Sequence, residues 1–346
     1  MIDPQAFLDH HRQQIIALDE IHRLDNPSEL LKIAADYYPD IKIIATGSST
    51  LGTTAKFKDT LTGRKTQIWL TPLRLNEGAL FGNPNLEHRF LFGGLPPFFA
   101  QQTSSDTPFH EWVDGYWAKD IEDIFSVGKR QSFQKFTELL LANSGGLFEA
   151  SRYTVPCEIS RTTVAHYLHV LSETFVVHIV KPFSSHKATE IISAPKVYGF
   201  DTGFVTFFKG RGELRNEDLG YMWEHCVLND LYAHLQRRSV NYWRDKSDHE
   251  IDFVLYNRSD ESATAIECKY SVPNDEGALK KIARNIAAFR YNYPKGKNFI
   301  VVHTIDSSFV RRINDIECIF VSIQTLIEHI PHNVPWGEPL VLNKKN

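Results

Sequence analysis

Two groups of residues in this 346-residue chain have the types and spacing to do chemistry. The first is Ile15-Ile16-Ala17-Leu18-Asp19-Glu20, an apolar run ending in adjacent carboxylates. At the C-terminal end of a buried strand, such a pair reaches the crevice where open α/β sheets bind ligands. There Asp19 can orient Mg²⁺ through water and Glu20 can orient or polarise an attacking water. The second group is Asp252, in Glu250-Ile251-Asp252-Phe253-Val254-Leu255, with Glu267 and Lys269, in Ile266-Glu267-Cys268-Lys269. On a strand, Glu267 and Lys269 share one face and Cys268 takes the other. Two strands joined by the polar turn Asn257-Arg258-Ser259-Asp260 place Asp252 near Glu267. Two carboxylates with an open side bind Mg²⁺ through oxygen. Lys269 then holds the attacking water or stabilises charge on a phosphodiester. Glu224, in Trp223-Glu224-His225, adds a further oxygen.

The elements that must position the first group alternate strand and helix. After the strand at 15–18, residues 27–35 read as a helix, with Asn26 as cap and Pro27 in the first turn. Residues 41–46 form a nearly continuous apolar run, as in a parallel strand buried on both faces. It ends in Thr46-Gly47-Ser48-Ser49, a polar tip able to read a terminal phosphate, and Arg64 in Leu61-Thr62-Gly63-Arg64 can reach a phosphate too. Gln67-Ile68-Trp69-Leu70 reads as a further strand stopped by Pro72. A phosphate cradle is missing. Residues 1–14 contain neither Gly nor Lys. The near misses Gly63-Arg64-Lys65-Thr66, Gly128-Lys129 and Gly296-Lys297 do not follow an apolar strand with a second Gly at the required spacing. Without loop N–H donors and the loop lysine, β- and γ-phosphate charge goes uncompensated, and tight ATP binding by this chain alone is not expected.

Further along, Gly93-Gly94-Leu95-Pro96-Pro97 breaks the pattern, and from 109 the chain reads as helical. Residues 162–171 have helical spacing behind the short turn Cys157-Glu158-Ile159-Ser160-Arg161, the outline of a helix-turn-helix, and 175–180 follows as the strand where a wing would start. Arg161, Thr162 and Thr163 at the start of the second helix are the candidate DNA contacts. The second chemical group sits among a helix at 213–236, strands at 250–256 and 263–270, an amphipathic helix at 279–291, and strands at 299–302 and 319–321.

Hydrophobic residues make up 42% and charged residues 23% of the chain, ordinary values for a globular protein of two or three domains. The net charge of −4 excludes a whole-protein polyanion binder, so a nucleic-acid surface must be local. Cys157, Cys226, Cys268 and Cys318 lack paired spacing, which argues against a zinc site or disulfide scaffold and for a reducing compartment. The start is not a signal peptide, and no apolar run approaches the roughly 20 residues needed to span a bilayer. The expectation is a cytoplasmic protein without a membrane partner.

The C-terminal set Glu224, Asp252, Glu267 and Lys269 resembles the PD-(D/E)XK, restriction-endonuclease-like nuclease core, in order and in the elements that carry it. Pro39-Asp40-Ile41-Lys42 spells the same letters but lacks matching carboxylates and is discounted. Nearly the whole chain resembles the prokaryotic AAA-type P-loop ATPases that carry a C-terminal domain of unknown function. The resemblance rests on Leu18-Asp19-Glu20-Ile21 as a Walker B strand, Thr46-Gly47-Ser48-Ser49 as a sensor strand, Thr62-Gly63-Arg64, Gly93-Gly94-Leu95-Pro96, Lys196-Val197-Tyr198-Gly199-Phe200-Asp201-Thr202-Gly203, Tyr242-Trp243-Arg244, Asp252-Phe253-Val254 and Glu267-Cys268-Lys269-Tyr270. Against that family's pattern the chain looks N-terminally shortened, with Walker A absent, and Lys119-Asp120-Ile121 departs from the expected Arg-Asp-Ile.

The resemblance implies an α/β chain: a remnant P-loop ATPase parallel sheet at 1–75, a helical lid or linker at 76–128, a winged helix-turn-helix at 129–190 and a restriction-endonuclease-like α/β domain at 191–346. It implies catalytic roles for Glu20 and Lys269, cofactor contacts from Asp19, Thr46, Ser48 and Arg64, and metal ligation by Asp252, Glu267 and Glu224. The cofactors implied are Mg²⁺ and, by family, ATP; the partners are DNA and a second copy of the chain in a homo-oligomer. Three functions stand open: an ATPase-family, DNA-processing protein with an incomplete nucleotide site, a Mg²⁺-dependent nuclease working without ATP, and a non-catalytic binding or regulatory adaptor.

Overall fold

A computed structural model describes residues 3–47, 61, 63–101, 106–116, 121, 129–184, 194–210, 212–236, 239–305 and 307–331, the side chain of residue 22 excepted. The fold is mixed α/β and divides into two compact units. The first comprises Met1–Ile68, Asp106–Leu139 and Ala150–Val177; the second comprises Trp69–Ser105, Leu140–Glu149 and His178–Asn346.

In the first unit, strands β1 (Ile15–Leu18) and β2 (Lys42–Ala45) pair in parallel, Ile15 opposite Lys42 and Leu18 opposite Ala45. Parallel strands need a crossover, supplied by the helix Pro27–Tyr37. Pro27 starts that helix, as its fixed φ favours, but Asn26 does not cap it through its side chain; its amide donates instead to Glu29 Oε2 at 2.9 Å. Leu30, Ala34, Tyr38 and Ile41 pack with Leu8 of the helix Pro4–His10. Ile15 and Ile44 are exposed, so these two strands are not sealed on both faces as the apolar run of β2 suggests.

The helices Thr107–Tyr116, Arg130–Ala142, Ser151–Cys157 and Arg161–Glu173 follow. Phe133 meets Tyr167 edge-on, Phe136 lies tilted against Tyr167, and Phe136 meets Tyr153 edge-on. The helix-turn-helix outline has a local cause. Glu158 adopts a left-handed φ of 55°, which ends the first helix, and Ser160 Oγ accepts the Thr163 N–H at 3.1 Å to open the second.

In the second unit, nine strands form one sheet among the described residues: β3 (Gly146–Leu147), β4 (Val177–Pro182), β5 (Lys196–Gly199), β6 (Asn241–Arg244), β7 (Glu250–Asn257), β8 (Ser262–Lys269), β9 (Asn298–Val302), β10 (Phe309–Ile313) and β11 (Ile316–Val321). Their order is β10-β11-β9-β8-β7-β6-β4-β5-β3. β6, β7 and β8 form an antiparallel meander; the helix Glu276–Asn292 then returns the chain to β9, parallel to β8. Two apolar cores flank the sheet. One gathers Trp223, Val227 and Leu231 of the helix Asn216–Leu235 with Phe253, Ile266, Cys268 and Phe299; the other gathers Ile282, Ile286 and Phe289 with Ala263, Ala265, Ile300 and Val302.

Two expectations are corrected here, and three strands are added. Residues 67–70 are not a strand: the Trp69 N–H donates to Gln236 Oε1 at 2.8 Å, so a side-chain amide replaces a ladder partner. The strand expected to open a wing is β4, whose Lys181 and Pro182 lie opposite Asn241 and Tyr242 of β6 in the large sheet. Lys196–Gly199, Asn241–Arg244 and Phe309–Ile313 are strands that the sequence pattern does not announce.

Candidate functional site

The C-terminal carboxylates converge where β7, β8, β5 and the helix Asn216–Leu235 meet. Asp252 owes its position to an irregularity. Asn241 pairs with Val254 but Trp243 pairs with Ile251, so one residue of β6 faces two of β7, and the extra residue re-aims the chain at Asp252 and Phe253. Asp252 Oδ2 accepts the Cys268 N–H at 2.7 Å, which fixes it against β8 beside Glu267. Lys269 Nζ lies 3.0 Å from Glu267 Oε2 and 3.1 Å from the Cys268 carbonyl. Cys268 packs into the opposite core with Ile266, as strand alternation requires.

Glu267 is 3% exposed, and its Oε1 is buried with no hydrogen-bond partner. Burial, with the Asp252 carboxylate beside it, pushes the Glu267 carboxyl up to about 8 despite the Lys269 ammonium. Burial and Asp252 also raise Glu224. Its Oε1 accepts from the Tyr198 hydroxyl at 2.5 Å and faces Lys196 Nζ at 3.4 Å. Lys196 Nζ also lies 2.5 Å from Glu250 Oε1. Burial alone would depress both lysines, but the surrounding carboxylates outweigh it: Glu224, Asp252 and Glu250 raise Lys196, and Glu267 and Asp252 raise Lys269. Lys196 and Tyr198 are the residues that sequence reasoning missed. Their signal is two polar atoms spaced i, i+2 on one short strand, aimed at the helix that carries Glu224.

Among the described residues no three of His, Cys, Asp and Glu stand together as a ready metal-ligand group. The donor set nevertheless suits Mg²⁺ at two points, Asp252 and Glu267, both hard oxygen ligands, with Glu267 Oε1 left over. The third expected ligand, Glu224, is engaged by Tyr198 and Lys196.

In the first unit, Asp19 and Thr46 meet at the ends of adjacent parallel strands: the Thr46 hydroxyl bonds Asp19 Oδ1, and Thr46 Oγ1 accepts the Glu20 N–H at 3.2 Å. Glu20 holds a left-handed φ of 50°, an uncommon state for a non-glycine residue, as the chain turns into Ile21–Arg23. Arg64 does not join them; its Nε donates to Asp36 Oδ1 at 2.6 Å. Ser48 lies outside the described residues. Arg161 and Thr162 are exposed at the start of their helix, while Thr163 is half-buried beside its cap. The discounted Asp40 is used structurally: it accepts from Arg12 Nη1 and the Gln13 N–H, each at 3.1 Å.

Two nearby arrangements are structural. His225 Nδ1 faces the Tyr221 carbonyl at 2.7 Å, so that nitrogen carries the proton, and Nε2 accepts from the Ser144 hydroxyl at 2.6 Å. Ser144 Oγ in turn accepts the Gly199 N–H at 2.6 Å. Both side chains are buried, and this pair ties β5 to the long helix rather than offering a nucleophile. Burial pushes His225 down to about 4. Between that value and 6.5 the unfolded chain binds the extra proton, so stability falls as pH drops through this window. We expect urea midpoints of the wild type, taken relative to His225→Gln, which takes up no proton, to fall as pH drops through this window; equal pH slopes in the two proteins would assign the effect elsewhere.

The second arrangement is Asp201, 2% exposed, which accepts the Gly94 N–H at 2.6 Å and the Gly203 N–H at 2.9 Å and lies 3.5 Å from Arg89 Nη1. Arg89 also donates to Thr202 Oγ1 at 2.7 Å and to the Leu73 carbonyl at 3.3 Å. The two glycine-bearing motifs, around Gly93-Gly94 and Asp201-Thr202-Gly203, are thus halves of one buried lock.

Three family matches divide the chain. Residues 2–79 match an AAA domain, residues 83–215 match a domain of unknown function, DUF8612, and residues 219–323 match another, DUF4143. Together they support an AAA-type ATPase family. Two uncharacterized mycobacterial proteins, from Mycobacterium bovis and Mycobacterium tuberculosis, are each 27% identical over 250 residues, which is 70% of this chain and 56% of the relative. The chain therefore spans little more than half the length of these relatives. Among the described residues no helix is long and apolar enough to cross a membrane.

Proposed function

We propose that this ATPase-family chain carries a Mg²⁺-dependent, nuclease-like centre in its second unit, acting on DNA. The observation that carries the reading is Glu267: a buried carboxylate with one oxygen unpartnered, ion-paired to Lys269 and set beside Asp252. The order helix, β6, β7, β8, helix, β9 supports it, since it is the order of the nuclease core that the motif resembles. Asp252 and Glu267 would hold Mg²⁺, which when bound supplies Lewis-acid polarisation of a phosphodiester. Lys269, with 34% of its side chain exposed, can hold an attacking water or meet the developing negative charge on a phosphate oxygen. Asp19, Glu20 and Thr46 form the water-and-metal half of a nucleotide site; Ser48 and Arg64 belong to it only by resemblance. Arg161, Thr162 and Thr163 are the proposed DNA contacts, and the reading places the protein in the cytoplasm, with a homo-oligomer as its assembly.

The test is plasmid cleavage in Mg²⁺ with Asp252→Asn and Lys269→Ala beside the wild type. A rate loss of about 10²-fold or more is expected in each, as when one preorganised charge partner of a transition state is removed. Cleavage unchanged in both variants would remove these residues from the chemistry. A second reading, a non-catalytic binding module, is favoured by the engagement of Glu224 with Lys196 and Tyr198. It predicts retention of DNA on the wild type with no strand scission.

A further inference from the structure

The second unit contains a cation of its own where its carboxylates meet. Lys196 is 6% exposed, and its ammonium lies 2.5 Å from Glu250 and 3.4 Å from Glu224. Burying such a charge is costly unless it is closely paired. Lysine, unlike arginine, presents a compact point charge on a long stem, closer in form to a metal ion than to a planar fork. Formal charge sharpens the point. Glu224, Glu250, Asp252 and Glu267 face Lys196 and Lys269, while Arg244 at the rim, 2.8 Å from Asp248 and 3.5 Å from Glu250, is offset by Asp248. With all four carboxylates ionised, as ligation through Glu267 requires, two negative charges remain, which one divalent ion would balance and two would overshoot. The buried oxygen without a hydrogen-bond partner is Glu267 Oε1; Glu224 and Glu250 each turn one oxygen, Oε1, to the Lys196 ammonium.

Carboxylate centres for phosphodiester hydrolysis commonly hold a pair of metal ions. Resting on the Mg²⁺ reading above, we propose that the Lys196 ammonium stands in the second of these cation positions, so that this centre takes a single divalent ion, at Asp252 and Glu267. Lys196 is then a positioning residue: it braces Glu224 and Glu250 and leaves the open coordination to the other two carboxylates.

The experiment is Mn²⁺ titration of the full chain, followed by electron paramagnetic resonance of free and bound ion, with folding of each variant checked by circular dichroism. One Mn²⁺ is expected on the wild type, none on Asp252→Asn and two on Lys196→Met, where the vacated position opens to a second ion. Two Mn²⁺ on the wild type would overturn the inference while leaving the metal centre standing. One Mn²⁺ on a folded Lys196→Met would overturn it too, because the ammonium would then hold no cation position. No Mn²⁺ on the wild type would end both the inference and the Mg²⁺ reading beneath it. Should Lys196→Met fail to fold, the wild-type stoichiometry alone decides between one ion and two.

Discussion

Replacing Asp201 with alanine is expected to destabilise the second unit by about 3–5 kcal/mol, the range for removing one partner of a buried ion pair. Arg89 would keep its charge with 5% side-chain exposure and without its Asp201 partner, and the Gly94 and Gly203 N–H groups would lose their acceptor. The glycines show how tightly the lock is built. A Cβ at Gly93, where φ is +78°, would sit 1.8 Å from Asp201 Oδ1, and one at Gly203 would sit 2.6 Å from the Phe92 carbonyl carbon. The second of these obstacles is backbone and cannot swing aside. Gly203→Ala is therefore expected to approach the Asp201→Ala loss, while Asp201→Asn, which keeps one acceptor oxygen, falls between. Urea midpoints measure all three. An Asp201→Ala midpoint within error of the wild type would mean that the pair contributes nothing and that Arg89 reaches water.

The second large effect couples pH to metal. In chelator-treated protein, the Glu267 contribution to stability is expected to fall as pH rises from about 4.5 to about 8, against the His225 contribution up to 6.5 and free of it above, because the folded state holds a proton on Glu267 that the unfolded chain has released. The contribution is fully present below the unfolded value and gone above the folded one. On the proposed reading Mg²⁺ would compete for the same oxygen, so its stabilising effect would grow toward pH 8 and reach about 2.7 kcal/mol at a hundredfold excess over the dissociation constant. Glu267→Gln is expected to flatten the pH slope, to be more stable than the wild type above pH 8 in chelator, and to show no Mg²⁺ response. Equal Mg²⁺ shifts in variant and wild type would place the ion elsewhere.

What was legible in the sequence follows from length and pattern. The helix Glu276–Asn292 announces itself through Leu279, Ile282, Ile286 and Phe289, but its start lies earlier than the expected 279, at Asp275, whose Oδ1 accepts the Ala278 N–H. The β7–β8 hairpin and the pairing of Glu267 with Lys269 follow from the period of two. Lys196–Gly199 was not legible, because all its residues are buried and it therefore lacks alternation. With that strand went Lys196 and Tyr198, the two members of the polar cluster that face Glu224. Gln67-Ile68-Trp69-Leu70 was misread for the opposite reason: it has strand composition, but the Gln236 side chain takes both backbone hydrogen bonds of Trp69. The bulge that aims Asp252 is a register property of two strands, invisible in either alone.

One feature of the sheet bears on how the protein can be cut or inherited. β3, β4 and β5 precede the long helix in the chain, yet they extend the sheet outward from β6, and Leu86 and Phe90 pack into the core beneath that helix. A fragment begun near residue 219 would bare the rim of β6 and strip its helix of those apolar neighbours. Such a piece, transplanted into another gene as a cassette, would arrive sticky and half-clothed. Recombination in nature, like subcloning at the bench, must carry the upstream strands along with it.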